Sequence, residues 1–429
     1  MKTILFYLLI SLLIISFSFA QTDWIKYPGN PVLVCGSDGS WDDLEIPPAF
    51  IIYQDGTYRM WYNGINVYQP RNVGLATSLD GINWIKYSGN PVFTTGSDSS
   101  WDDFRVIMGS IIVKDNTYHM WYAGNDGTKG TYFYRANIGY ATSTDSGVTW
   151  IKHPFPVLEG GSAGEWDDYS VNNPWVIMEN DTFKMWFDGY RQTTANIGYA
   201  WSLDGINWTK YNDPETKDFP FRFSDPVLTT SPAWDNAYVF YPCVIKNNNQ
   251  LEMWYSGFGH NVCKIGYAIS SDGIIWKKFE GNPVMDVGPS GSWDCIDVFS
   301  TRVYYMNSVY KMWYAGYEGG YTNIGYATST PTDVRDNLLE LPSKLILNQN
   351  FPNPFNPSTT IKYQIANAGM VSLKVFDILS KEVKTLVNEY QLAEYYEVNF
   401  EASNIPSGVY FYQLRSGDFI QTNKMILLK

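Results

Sequence analysis

Apolar and polar residues alternate along most of the chain in short runs, and each run stops at a turn signal. Phe50 to Tyr53 ends at Asp55-Gly56 and is followed by Tyr58 to Asn63; Val73 to Ser78 ends at Asp80-Gly81 and is followed by Asn83 to Tyr87. Aromatic and β-branched residues fill the runs, which is the pattern of short strands joined by tight turns. These runs predict four strands within one unit of the chain.

The unit recurs. Trp-Asp-Asp stands at Trp41, Trp101 and Trp166 and weakens to Trp-Asp-Asn at Trp234 and Trp-Asp-Cys at Trp293, at intervals of 60, 65, 68 and 59 residues. Met-Trp, followed by an aromatic and then Gly two residues on, repeats at Trp61, Trp121, Trp186, Trp254 and Trp313 with the same four intervals. A third anchor ends at Ser78, Ser143, Ser202, Ser270 and Ser329, and a fourth places Trp84, Trp208 and Trp276 behind Asp-Gly. Five such units predict an all-β fold, a five-bladed β-propeller over residues 21–330. The fifth unit lacks its fourth strand, whereas Trp24 to Val32 matches Trp84 to Val92 almost residue for residue. The N-terminal strand is therefore expected to close the ring by completing the last blade.

Composition narrows the picture. Aromatic residues make up 17% of the 429, too many for a disordered chain. The net charge of -13 argues against a nucleic-acid partner, which would need a basic face. Met1 to Ala20 carries one Lys, a long apolar run and a small-residue end, and reads as a secretory signal peptide cut before Gln21. An N-terminal anchor is the other reading; no second span follows, so no membrane span is expected after cleavage. Cys35, Cys243, Cys263 and Cys295 match no zinc spacing, and in an exported protein one structural bridge is open to them.

Beyond a linker at 331–341 lies a second domain, 342–429, whose alternating runs Val371 to Phe376, Tyr396 to Phe400, Val409 to Leu414 and Lys424 to Leu428 predict a small C-terminal β-sandwich. Its motifs are Phe-Pro-Asn-Pro-Phe-Asn-Pro-Ser-Thr-Thr-Ile from Phe351, Val-Phe-Asp-Ile-Leu-Ser-Lys-Glu-Val-Lys from Val375, Ser-Gly-Val-Tyr-Phe-Tyr-Gln-Leu from Ser407 and a terminal Lys-Met-Ile-Leu-Leu-Lys. This segment resembles the type A C-terminal sorting domain of the type IX secretion system. The resemblance implies the secretion machinery as a partner and a place outside a Gram-negative cell, either free or on the outer-membrane surface.

Residues present in every blade serve the blade. The Asp after each repeated Trp (Asp42, Asp102, Asp167, Asp235, Asp294) reads as a turn cap. The run Ser143 to Trp150 resembles the Asp-box hairpin of sialidases and related propellers, which implies a structural role away from the ligand face. Function is expected where blades differ, at the channel mouth, where the first strand starts and the second ends. Four residues after the repeated Trp stand Glu45, Arg105, Ser170, Tyr238 and Asp297; the second strands end at Asn63, Ala123, Asp188, Ser256 and Ala315, and the loops beyond add Arg71, Asp126, Arg191, His260 and Glu318. Blades one and five are ring neighbours, so Glu45 and Asp297 are the expected carboxyl pair. Mutual repulsion would keep one of them protonated, and Asp188 is a third candidate acid. Glycosidic cleavage needs two such carboxyls about 5–10 Å apart. Arg105, Trp175, Tyr190, Tyr241, His260 and Tyr317 are the candidate substrate-binding residues, with Trp and Tyr rings as platforms for carbohydrate.

Three His, at 119, 153 and 260, form no metal spacing, and neither a nucleophile elbow nor a phosphate loop occurs, so no metal or cofactor is expected. The five-bladed ring with an N-terminal closing strand resembles the arabinanase, levansucrase and invertase superfamily, glycoside hydrolase families 43 and 32. That resemblance implies Asp, Asp and Glu on the inner strands of blades one to three. The matching positions here hold Glu45, Arg105, and Ser170 with Asn172 and Asn173. The expected function is a secreted glycoside hydrolase-like protein acting on poly- or oligosaccharides; the alternative is a non-catalytic glycan-binding propeller.

Overall fold

The computed structural model describes residues 23–428 apart from 67, 69, 129–134, 248–249, 330–344, 351, 366–368, 392–393 and 418. The expected signal peptide and linker lie outside the described residues. The chain divides into two compact units, Met1–Thr332 and Asp333–Lys429.

Among the described residues the first unit holds strands and no helix, arranged as five repeated blades, of which blades three and four are joined in one nine-stranded sheet. Blade one runs Pro48–Gln54, Thr57–Gly64, Asn72–Ser78 and Ile85–Lys86 in antiparallel order, and blade two repeats it as Arg105–Lys114, Thr117–Asn125, Asn137–Ser143 and Ile151–Lys152. The inner strands of blades three to five are Ser170–Glu179, Tyr238–Asn247 and Asp297–Met306. Each inner strand lies against the next, and that of blade five lies against that of blade one. The N-terminal strand Trp24–Lys26 pairs antiparallel with Thr322–Ser329, Trp24 opposite Ser329 and Lys26 opposite Ala327, as the fourth strand of blade five.

The repeated residues hold each blade through one recurring constellation. The lysine of the outer strand reaches the Asp of the repeated Trp-Asp: Lys86 to Asp42 at 2.7 Å, Lys152 to Asp102 at 2.6 Å, Lys210 to Asp167 at 2.5 Å and Lys278 to Asp235 at 2.5 Å. In blade five the lysine comes from the N-terminal strand, Lys26 to Asp294 at 2.6 Å. Tyr62, Tyr122, Tyr255 and Tyr314 donate their hydroxyls to the same carboxylates. Blade three has Phe187 where the others have Tyr, and Glu165 where blades one, two and five have Ser and blade four has Ala233, and Asp167 Oδ1 is left buried without a hydrogen-bond partner. The Asp is thus a buried counter-ion for lysine as well as a turn residue. The repeated Gly has a steric cause: a Cβ on Gly64 would stand 1.9 Å from the Trp41 ring.

Seams between blades are closed by tryptophan. The indoles of Trp61, Trp121, Trp186 and Trp313 donate to the carbonyls of Gly147, Gly205, Gly273 and Gly81, the hairpin glycines of the neighbouring blade, at 2.7–3.0 Å. Each of these glycines takes positive φ, from 77 to 84°, a conformation that costs glycine little. The Ser143 to Trp150 hairpin does the same work as its shorter relatives: Asp145 accepts from Val148 and Thr149 N–H, and Trp150 Nε1 donates to Gly147 O. The four cysteines are all free thiols, so no bridge forms. Cys243 and Cys263 are buried, the former as a packing residue that accepts the Val303 N–H at 3.3 Å.

The second unit holds two sheets, one of Ile346–Leu347, Ser358–Ile365 and Glu394–Glu401, the other of Glu382–Gln391, Gly369–Phe376, Gly408–Ser416 and Phe419–Leu427. One apolar core, with Ile361 and Tyr363 from the first sheet and Leu373, Tyr412 and Leu414 from the second, joins them as a sandwich. Three strands are additional to the four expected, the shortest being Ile346–Leu347. Glu382–Gln391 is mostly exposed and polar, which hides its periodicity, and Ser358–Ile365 was absorbed into the Pro-rich opening motif.

Candidate functional site

The mouth is built where each inner strand begins. At every seam the residue four past the repeated Trp, which opens the inner strand in blades two to five and lies three residues before it in blade one, meets the residue at or just before the third strand of the preceding blade. Glu45 bridges Thr322, Arg71 bridges Arg105 in parallel, and Ala195 bridges Tyr238 in parallel. Ser170 Oγ accepts the Ala136 N–H, and Asp297 Oδ1 accepts the Cys263 N–H at 2.7 Å. The next residue of each strand, Ile46, Val106, Val171, Val239 or Val298, is fully buried. One position thus faces the mouth and the next packs the blade, which is the alternation of a strand.

Glu45 and Asp297 are both half-buried. Burial raises the Glu45 carboxyl above its ordinary value, and the Arg71 charge opposes that rise. Burial likewise raises Asp297, against the Cys263 N–H. Neither carboxylate is among the charges that shift the other. Desolvation, rather than the expected mutual repulsion, favours their protonated forms. They line separate hollows. Glu45 shares one of about 440 Å³ with Asn66, Arg71, Asp103 and Arg105. Asp297 shares one of about 320 Å³ with Tyr190, Tyr238, Tyr241 and Phe299. Tyr241 stands near both sets: its hydroxyl is pushed up to about 12 by burial first, then by Asp188, with Arg71 opposing and Glu45 adding.

Asp188 does not reach solvent. It is fully buried, accepts Asn173 Nδ2 at 2.5 Å and accepts the Tyr241 N–H at 2.9 Å across the seam to blade four. Asn63 Oδ1 accepts the Met108 N–H at 2.9 Å and Ser256 Oγ the Ser300 N–H at 3.0 Å in the same way. Where this position is Ala315, the facing residue of the next blade is Pro48, which has no N–H to satisfy. Asp188 therefore ties two blades. Burial pushes its carboxyl well above the usual range. Asp188→Ala is expected to cost about 1–3 kcal/mol by orphaning the Tyr241 N–H, whereas Asp188→Asn keeps an acceptor there and costs much less. Urea unfolding of both variants decides this; equal losses would refute the tie.

Of the aromatic candidates, Tyr190 and Tyr241 line the Asp297 hollow, and half-buried Tyr317 is the strand partner of Asp297. Arg105 lines the Glu45 hollow. His260 is exposed at the hairpin turn of blade four, with φ of 53°. Trp175 is not at the rim. A bulge between Asn172 and Trp175 turns its ring into the channel, where it is buried, donates to Val244 O at 2.6 Å and meets Phe50 at 5.2 Å. The Arg302 guanidinium lies over the same ring at 5.3 Å. Phe50, Trp175 and Arg302 occupy one position in three blades and fill the channel below the mouth. The sequence carried a signal for this plug, since the ninth residue after the repeated Trp is Phe, Ser, Trp, Cys or Arg and never the same twice. Among the described residues no cluster of three His, Cys, Asp or Glu is placed to hold a metal ion, and no helix is long and apolar enough to cross a membrane.

Comparison with known proteins agrees with this architecture. Residues 349–428 match the secretion system C-terminal sorting domain, which marks the chain for type IX secretion. An uncharacterized protein of Mycobacterium tuberculosis is 26% identical over 280 residues, covering 63% of this chain and 87% of that protein. An A type blood N-acetyl-α-D-galactosamine deacetylase of Flavonifractor plautii is 21% identical over 331 residues, covering 67% of this chain and 42% of the enzyme. Among solved structures, a glycosyl hydrolase from Bacteroides ovatus superposes with a TM-score of 0.56 at 17% identity, covering 73% of this chain and 94% of that one. A thermostable family-43 glycoside hydrolase superposes with a TM-score of 0.51 at 17% identity, covering 66% of this chain and 88% of that one. The chain therefore carries a secretion system C-terminal sorting domain at residues 349–428, following a five-bladed β-propeller whose fold is similar to that of these solved structures.

Proposed function

We propose that the protein is exported by type IX secretion and acts on poly- or oligosaccharides at the propeller mouth, as a glycoside hydrolase with Glu45 and Asp297 as its carboxyl pair. The observation that carries this reading is that both are half-buried four residues after the repeated Trp, Asp297 opening its inner strand and Glu45 three residues before its own, each with its proton held to higher pH by burial. One then serves as the acid that protonates the leaving oxygen while the other, ionised, attacks or activates water. Tyr190, Tyr241 and Tyr317 supply ring faces for the sugar.

The test is reducing-sugar release from a glycan panel by the mature chain, with Glu45→Gln and Asp297→Asn. Each variant is expected to lose at least about 100-fold in kcat with the fold intact. Because a raised carboxyl stays protonated to higher pH, parent activity falls as pH rises through that titration, and the variant lacking the acid loses that limb. Full activity in both variants would exclude the pair. A second reading, a glycan-binding propeller without catalysis, is favoured by the separate hollows that the two carboxylates line. It predicts binding without product release.

A further inference from the structure

Of the five seams at the mouth, one brings two like charges together. Arg71 and Arg105 are bridge partners on parallel strands, and the Val106 N–H donates to Arg71 O at 3.2 Å. Parallel partners project to the same side, and both side chains line the 440 Å³ hollow that also holds Glu45 and Asn66. The other seams pair Thr322 with Glu45, Ala136 with Ser170, Ala195 with Tyr238 and Cys263 with Asp297, none of them two cations.

Adjacent like charges oppose folding unless an opposite charge meets them. Among the described residues Arg71 makes no ion pair. Glu45 senses its charge without bonding to it. The acids beside them are already engaged in the turns: Asp103 Oδ2 accepts the Ser99 N–H and Asp43 Oδ1 accepts Asn66 Nδ2. The two arginines also concentrate positive charge on a protein of net charge -13, so an anion drawn here is drawn by local rather than overall potential.

We propose that Arg71 and Arg105 form a subsite for an oxyanion carried by the glycan, in the first place the carboxylate of a uronic acid residue. The guanidinium forks match a planar carboxylate in a way that lysine does not. Glu45 beside the subsite then faces the neighbouring sugar of the same chain. This inference rests on the mouth reading above and narrows it to acidic glycans.

The test is calorimetric titration of the mature chain with trigalacturonate, with a neutral galactose trisaccharide, and with inorganic phosphate. The uronate is expected to bind at least about tenfold tighter than the neutral sugar, with affinity falling as salt rises. Arg71→Gln and Arg105→Gln each abolish the preference, and Arg71→Lys restores only part of it; thermal melts of each variant show that the blade is intact. Equal binding of the two trisaccharides overturns the subsite but leaves the mouth reading standing if Glu45→Gln still weakens both. Unchanged uronate binding in the glutamine variants overturns it as well. Phosphate binding that depends on the arginines without any uronate binding replaces the glycan-borne anion by a free one. Failure of every sugar to bind overturns both readings.

Discussion

Lys26→Met is expected to destabilise the propeller by about 2–3 kcal/mol, although Lys26 lies in the three-residue strand Trp24–Lys26. The substitution leaves the Asp294 carboxylate, 4% exposed, without its cation, and breaking a buried ion pair from one side costs about 3–5 kcal/mol when both partners are dry. The lysine is 30% exposed, so water recovers part of that loss. Asp294 keeps its hydrogen bonds from Ser292 Oγ and Tyr314 Oη, which holds the loss below a full orphaning. The informative comparison is Lys86→Met, which makes the same break inside blade one. Matching losses in denaturant midpoints would mean that the N-terminal strand is as integral to blade five as a covalent outer strand is to blade one. A negligible loss for Lys26→Met alone would mean that the strand detaches freely in solution.

A second large effect is expected at the seams. Trp186 is fully buried and its indole donates to Gly273 O of the next blade at 2.9 Å. Trp186→Ala removes that bond and empties the space between blades three and four, for a loss of roughly 3–5 kcal/mol. Trp186→Phe keeps most of the volume and loses the donor, at about 1–2 kcal/mol. Trp201, 42% exposed on the neighbouring strand, is the control, with a change within about 0.5 kcal/mol. If the two tryptophans behave alike on alanine substitution, seam packing is not what holds the wheel together.

The repeat made much of this legible in advance. Equal spacing of two anchors through five units leaves few architectures, and the displaced outer strand at Trp24 located its own partner. The candidate site was less legible. The alternation around the residue four past the repeated Trp is legible because it is local: the residue after it is fully buried in all five blades. Trp175 was misplaced because a bulge, which no periodicity announces, rotates it into the channel. Asp188 read as a site acid because it is the one carboxylate in its set. Only the facing Tyr241 N–H, brought from another blade, shows it to be a tie.

The sequence by itself determined which residues recur and so which build the blade: Trp, Asp, Met, Gly and Lys at fixed intervals need only local pairing and burial to act. Tertiary structure decided which of the non-recurring residues share a hollow. Arg71 and Arg105 are 34 residues apart in the chain and meet only because one blade is laid against the next. Glu45 and Asp297, both four residues after the repeated Trp, line different hollows for the same reason. Charge and solvation at the mouth depend on distances across seams, and those distances come from packing between blades, which a one-dimensional pattern does not encode.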